Sequence, residues 1–177
     1  MWYGQEDLDV ENLDQDGQNA FSWAAGNGHL HTVAFLQKSH RVDQSRRDRD
    51  GRNALLWACA GRHQNVVKYL IQHGSPGVDE PDVDGWTPLA SALSNQAPKT
   101  VQVLLHSGLV DVNKKDNGGR SALSWAADYG YLDIFKMLLN TKGIDVESRD
   151  NQGQTAMYRA IRHPDIVMEL RLHGLDE

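Results

Sequence analysis

Five tryptophans, eight histidines and an interleaved set of arginines and carboxylates are the side chains of this 177-residue chain that could bind or react, and their spacing sorts them. Trp86 follows Gly85. The residues one interval of 34 away on either side are Arg52 and Arg120, with Gln18 and Gln154 one interval further out. If the chain is periodic, these five form a ladder in which elements stacked at about 10 Å set an indole between two guanidinium groups. Trp and Arg are the types richest in binding hot spots. The alternative is that Trp86 folds onto its own turn beside Val83. Trp23, Trp57 and Trp125 share another phase inside Ala-rich stretches. They are expected to pack between neighbouring units, where Trp to Ala would cost about 3 to 5 kcal/mol.

Residues 41–52 read RVDQSRRDRDGR, arginines alternating with Asp43, Asp48 and Asp50. Alternating signs predict a solvated turn with local ion pairs worth about 0 to 1 kcal/mol each; the other reading is an acidic peptide docking against Arg47, Arg49 and Arg52. His29 and His31, two apart on a helix start, face different directions, so no metal site is expected from them. His63 reads as a structural histidine rather than a general base. No phosphate-cradling glycine loop, nucleophile elbow or His-Glu-x-x-His helix is present. No catalytic residue, cofactor or metal is therefore assigned.

The formal charge of −6 and pI near 5.7 disfavour phosphate backbones and anionic lipid, which select basic stripes, so neither nucleic acid nor membrane is expected as a partner. One cysteine, Cys59, cannot form an internal disulfide or the paired spacing of a zinc site. Carboxylates at Glu6, Asp7 and Asp9 do not suit a secretory leader, and no apolar run approaches the ~20 residues of a membrane span. The expectation is a soluble intracellular protein, cytoplasmic or nuclear.

The elements that must position these residues repeat. Gly17, Gly51, Gly85, Gly119 and Gly153 are 34 apart, as are Ala20, Ala54, Pro88, Ala122 and Ala156, and Leu36, Leu70, Leu104 and Leu138. A period of this size implies stacked units, each covering its neighbour's apolar face. In the fourth, Asp116 to Gly119 is turn chemistry and Ser121 a helix N-cap. Ala122 to Ala127 is a short first helix ended by Gly130; Leu132, Phe135, Leu138 and Leu139 mark an amphipathic second helix stopped by Gly143. Ile144 to Glu147 alternates apolar and acidic, which suits an extended arm.

This order of hairpin, short helix, turn and longer helix resembles the ankyrin repeat, with its G-x-T-P-L-H-x-A-A-x-x-G-H signature. Gly85-Trp86-Thr87-Pro88-Leu89 matches the opening, and His29 and His63 hold the Gly-His position. The resemblance spans about Asp9 to Asp176. The usual His after Thr-Pro-Leu is instead Ser22, Leu56, Ala90, Ser124 and Tyr158, so Asn19, Asn53 and Ser121 are expected to replace the lost turn hydrogen bond. The S-W-A-A form with a 34-residue unit resembles fungal ankyrin arrays, including those attached to nucleotide-binding immune-receptor-like proteins.

The resemblance implies an all-α solenoid: residues 1–14 a partial repeat or N-terminal extension, with Leu8 to Asp14 like the closing arm of a preceding unit, and residues 15–177 five units starting near 14, 48, 82, 116 and 150. In the last unit the Gly-His is missing, and Glu169 and Arg171 interrupt the apolar helix, which predicts a polar C-terminal cap. The function implied is binding of another protein or peptide, an acidic one among the options. Its contact set is Arg49, Arg52, Val83, Trp86, Asn95, Asn117, Arg120, Asp128 and Tyr129, on hairpin tips and the concave first-helix face. The alternatives are a regulatory or sensor segment of a larger fungal receptor-like protein that packs against other domains of its own parent chain and, last, a small-molecule enzyme in a concave pocket beside Asp128, Tyr129 and His63.

Overall fold

The computed structural model describes residues 12–174. They form five helix pairs: α1 Ala20–Gly26 with α2 Leu30–Ser39, α3 Ala54–Ala60 with α4 Gln64–Gln72, α5 Pro88–Ser94 with α6 Pro98–Ser107, α7 Ala122–Tyr129 with α8 Leu132–Leu139, and α9 Ala156–Arg159 with α10 Pro164–Leu172. A 3-10 turn, Ala160–Arg162, joins α9 to α10. First helices stack on first helices and second helices on second helices. The expected closing arm of a preceding unit, Leu8 to Asp14, lies mostly outside the described residues.

Each first helix starts where a side-chain oxygen can satisfy an otherwise orphaned N–H. Asn19, Asn53, Thr87, Ser121 and Thr155, again 34 apart, accept from the backbone N–H of Ser22, Leu56, Ala90, Ser124 and Tyr158. The amides do double duty. Asn19 Nδ2 donates to the Asp43 carbonyl at 2.9 Å and Asn53 Nδ2 to that of Gly77 at 3.1 Å, each tying a helix start to the loop that closes its own unit. Asn19 and Asn53 thus make the turn contacts expected of them, whereas Ser121 caps α7 through the Ser124 N–H.

The core runs unbroken along the array. Phe21, Leu55, Leu89 and Leu123 occupy one phase of the first helices, all at most 1% exposed, with Ala24, Ala58, Ala92 and Ala126 one turn on. The small alanines let adjacent first helices approach closely. Val33, Val67, Val101 and Phe135, followed by Leu36, Leu70, Leu104 and Leu138, seal the second-helix layer. Cys59 lies fully inside this core, and burial pushes its thiol pKa well up.

The tips between units are held by a one-bond ladder rather than by strands. Arg49 N–H donates to the Asp16 carbonyl at 3.0 Å, Val83 N–H to Asp50 at 2.9 Å, Asn117 N–H to Asp84 at 3.2 Å and Asn151 N–H to Gly118 at 3.0 Å. The recurrent glycine is required here twice over. Gly85 has φ +85°, and a Cβ on it would lie 2.6 Å from the Asn117 backbone nitrogen.

Two expectations are corrected. The arm at Ile144 to Glu147 is turn and coil; among the described residues the only β-bridge is the isolated Lys115–Ser121 pair. The last unit does not lack its inter-helix histidine. The 3-10 turn shortens the connection by two residues, so His163 stands in the place of His29 and His63, before α10. Its Nε2 lies 3.1 Å from the Asp128 carbonyl, as His63 Nε2 lies 2.9 Å from that of Gly26.

The expected polar cap is likewise absent. Glu169 turns back to Lys136 of the preceding unit at 2.7 Å, while Tyr158, Ile161 and Met168 are 59%, 74% and 63% exposed. The outer end of the array is mixed, these hydrophobic side chains standing beside Arg149, Gln152, Gln154 and Arg171.

Candidate functional site

A column of aspartates organises the concave side. Asp14, Asp48, Asp82, Asp116 and Asp150 each accept, on Oδ1, the backbone N–H groups two and four residues on, which fixes the tip turn. In three of the five, Oδ2 also takes a donor from the residue nine positions on. Trp57 Nε1 donates to Asp48 at 2.9 Å, Trp125 Nε1 to Asp116 at 2.8 Å, and the Arg159 guanidinium closes on Asp150, Nε at 3.1 Å. Burial of Asp150 works to raise its pKa, but Arg159 and the backbone N–H groups of Gln154 and Gln152 outweigh it and hold the carboxyl below its usual range.

The expectation that Trp23, Trp57 and Trp125 pack between units holds in part: Trp57 lies against Gly26 and Trp125 against Trp86 of the preceding unit, but none is buried in the core. Trp23 is 50% exposed, and Trp57 and Trp125 are half-buried on the groove side. The physical reason is the width of the buried arc: Ala54, Leu55, Leu56, Ala58 and Cys59 are all buried in α3, leaving Trp57 the arc that faces the groove. A half-exposed indole bound to a carboxylate is a surface element with one polar anchor.

Around Trp125 an aromatic and cationic strip is assembled. Arg120 lies over its ring at 4.3 Å, Trp86 of the preceding unit lies 5.0 Å away centroid to centroid, and Tyr129 lies 5.2 Å away in a stacked arrangement. Tyr131 continues the row, 5.2 Å from Tyr129, and its hydroxyl accepts from Gln96 at 3.0 Å. Burial, with Tyr131 and Asp128 nearby, pushes the Tyr129 phenol upward, so it stays a neutral hydrogen-bonding group. Arg52 covers Trp57 in the same manner at 4.0 Å. Trp86 therefore leans across the groove onto the next unit rather than onto Val83. Ser91, where the neighbouring units have Trp57 and Trp125, leaves no ring beneath it in its own unit.

The sequence-derived set thus divides. Arg52, Trp86, Arg120, Asp128 and Tyr129 lie along the groove, Asp128 sitting 3.7 Å from both Arg120 and Arg159. Arg49, Val83 and Asn117 lie at the tips, exposed, with Asn117 Nδ2 already donating to the Val83 carbonyl at 2.9 Å. Asn95 ends α5, its Nδ2 donating to Ser91 O at 2.9 Å. The arginine run forms a turn with local ion pairs, but Asp48 within it is buried rather than solvated: Arg52 pairs with Asp48 at 3.0 Å and with Asp50 at 2.6 Å, and Arg47 donates to Pro81 O at 2.6 Å. Sequence reasoning missed Trp57, Trp125, Tyr131 and Arg159 as groove residues. The signal for the first two was an aspartate nine residues before each tryptophan.

The groove bounded by Asp116, Arg120, Trp125, Asp150 and Arg159 has a volume of about 360 Å³. His63 is not part of it, its ring being held on Gly26. No helix of the described residues is long and apolar enough to cross a membrane.

Stacked helix pairs, N-capped in phase and tied tip to tip, define a repeat solenoid. The family model for ankyrin repeats matches residues 3–80, 40–116, 75–150 and 108–176, and the chain belongs to the ankyrin repeat family. Ankyrin repeats generally act as protein–protein interaction modules. A search of curated proteins found no match.

Proposed function

We propose that this chain binds a partner protein through its groove and tips and has no enzymatic activity of its own. The observation that carries the reading is the Trp86–Trp125–Tyr129 row with Arg120 laid over Trp125, side chains of hot-spot type held half-exposed on a stiff scaffold. Because the tips are tied to one another and the Trp57 and Trp125 indoles are anchored on aspartates, docking costs little ordering of the scaffold.

The electrostatics favour a partner that brings flat apolar surface to the groove. Arg52, Arg120 and Arg159 already face Asp48, Asp50, Asp128 and Asp150, so their charge is largely spent within the protein. Acidic side chains of the partner would meet the exposed tip at Arg49 instead. Affinity capture from extracts of the native cell tests this. A partner retained by the wild type should be lost with Trp86 and Arg120 both changed to Ala, while the thermal midpoint stays close to that of the wild type. Equal recovery by the double variant would remove the groove centre from the account.

A further inference from the structure

The hydrogen-bond donors along the groove fall into two sets. Most are spent inside the protein: Trp57 Nε1 and Arg52 Nε donate to Asp48, Arg52 Nη2 to Asp50, Trp125 Nε1 to Asp116 and Arg159 Nε to Asp150. On the aromatic strip between the third and fourth units, others are not. Among the described residues the Trp86 indole N–H has no protein acceptor, and the Tyr129 hydroxyl has no hydrogen-bond partner. The Arg120 guanidinium lies over Trp125 and makes no side-chain hydrogen bond; Asp128, at 3.7 Å, balances its charge without using its N–H groups. Tyr131 accepts from Gln96 and keeps its own proton to give.

These unspent donors restrict what can cover the strip. A purely apolar surface would strip water from them and leave them unpaired, which is costly for each one. The occupant must bring acceptors. Added carboxylates would meet Asp116 and Asp128, which already stand beside the strip. A helix spends its carbonyls on its own N–H groups. A polyproline II segment does not: its carbonyls are all turned to solvent, its prolines carry no N–H that would need an acceptor, and its rings offer the flat apolar surface that stacked aromatics receive.

We propose that the strip takes a proline-rich segment of the partner in the polyproline II conformation, its carbonyls accepting from Trp86, Arg120 and Tyr129 while its pyrrolidine rings lie on the aromatic row. The proposal rests on the groove being the partner surface and names the part of the partner that enters it. Successive ring centroids from Trp86 through Trp125 and Tyr129 to Tyr131 are 5.0, 5.2 and 5.2 Å apart. The row therefore reaches at most about 15 Å, the length of about five polyproline II residues at roughly 3.1 Å each.

Nuclear magnetic resonance titration of the full chain with an oligoproline peptide twice that length tests this, beside a glycine-serine peptide of equal length whose every residue carries an N–H. Oligoproline should move the Trp86 indole N–H resonance downfield and leave that of Trp57, already bound to Asp48, in place; the glycine-serine peptide should move neither. Trp86→Phe and Tyr129→Phe each keep a ring and delete one donor. Each should weaken oligoproline binding about fivefold, with the remaining amide spectrum unchanged. An unmoved Trp86 indole, an equal response to the glycine-serine peptide, or wild-type affinity in both phenylalanine variants would overturn the proposal. A partner captured from extracts by the wild type and lost with Trp86 and Arg120 changed to Ala, alongside a silent oligoproline titration, would sink the proline reading and keep the groove.

Discussion

The aspartate column makes a quantitative prediction, because two of its members differ in what Oδ2 accepts. Asp48 and Asp82 both accept two backbone N–H groups on Oδ1, at 2.8 to 3.0 Å. Asp48 also accepts the Trp57 indole N–H at 2.9 Å and Arg52 Nε at 3.0 Å on Oδ2, whereas Ser91 leaves Asp82 without a tryptophan donor. A hydrogen bond from a half-buried donor to a carboxylate contributes about 1.5 kcal/mol, and the more solvated Arg52 pair adds about 0.5 kcal/mol. Asp48→Ala should therefore lose about 2 kcal/mol more stability than Asp82→Ala, read from urea unfolding midpoints at a common slope. Trp57→Phe, which deletes the indole donor and keeps an aromatic ring, should cost about 1.5 kcal/mol in the wild type and nearly nothing in the Asp48→Ala background. Equal losses for the two aspartates, or a Trp57→Phe cost that is the same in both backgrounds, would show that the carboxylate–indole contact does not hold the groove.

Two further outcomes are expected. Gly85→Ala meets both a left-handed φ and the Asn117 backbone, whereas Gly153→Ala, with φ +76° and open space around it, meets only the first. Gly153→Ala should cost about 1 kcal/mol and Gly85→Ala clearly more, by thermal or urea unfolding; identical midpoints would remove the close tip contact. Asp150 has its folded pKa below the unfolded value, so its contribution to stability is present above the unfolded carboxylate range and is lost as pH falls through the folded value. The stability gap between wild type and Asp150→Asn should accordingly be widest near neutral pH and close on acidification, and a gap independent of pH would contradict the Arg159 pairing.

Much of the fold was legible because its determinants are local and repeat. The capping residues, the positive-φ glycines and the second-helix leucines each carry their own physical reason, and five copies in phase reinforce it. The tryptophans were not legible in the same way. In the seven-residue first helices four or five positions are buried, so apolar character alone does not say which arc faces the groove; Asp48 before Trp57 and Asp116 before Trp125 were the informative pairs. Trp86 depended on Ser91, a small residue whose consequence is felt one unit away. The last unit was misread because the loss of two residues shifts His163 out of register, and because Glu169 reads as a cap residue while it serves as the inward partner of Lys136.

The account rests on a surface held in place by stacking, and amide hydrogen exchange at the tips examines that directly. Arg49, Val83, Asn117 and Asn151 lie in exposed turns, outside any helix, yet each backbone N–H donates to the preceding tip. The account predicts that these four amides exchange far more slowly than unprotected coil, with Val83 and Asn117 slowest at the centre of the array. Exchange at the rate of an unstructured peptide at all four would contradict it.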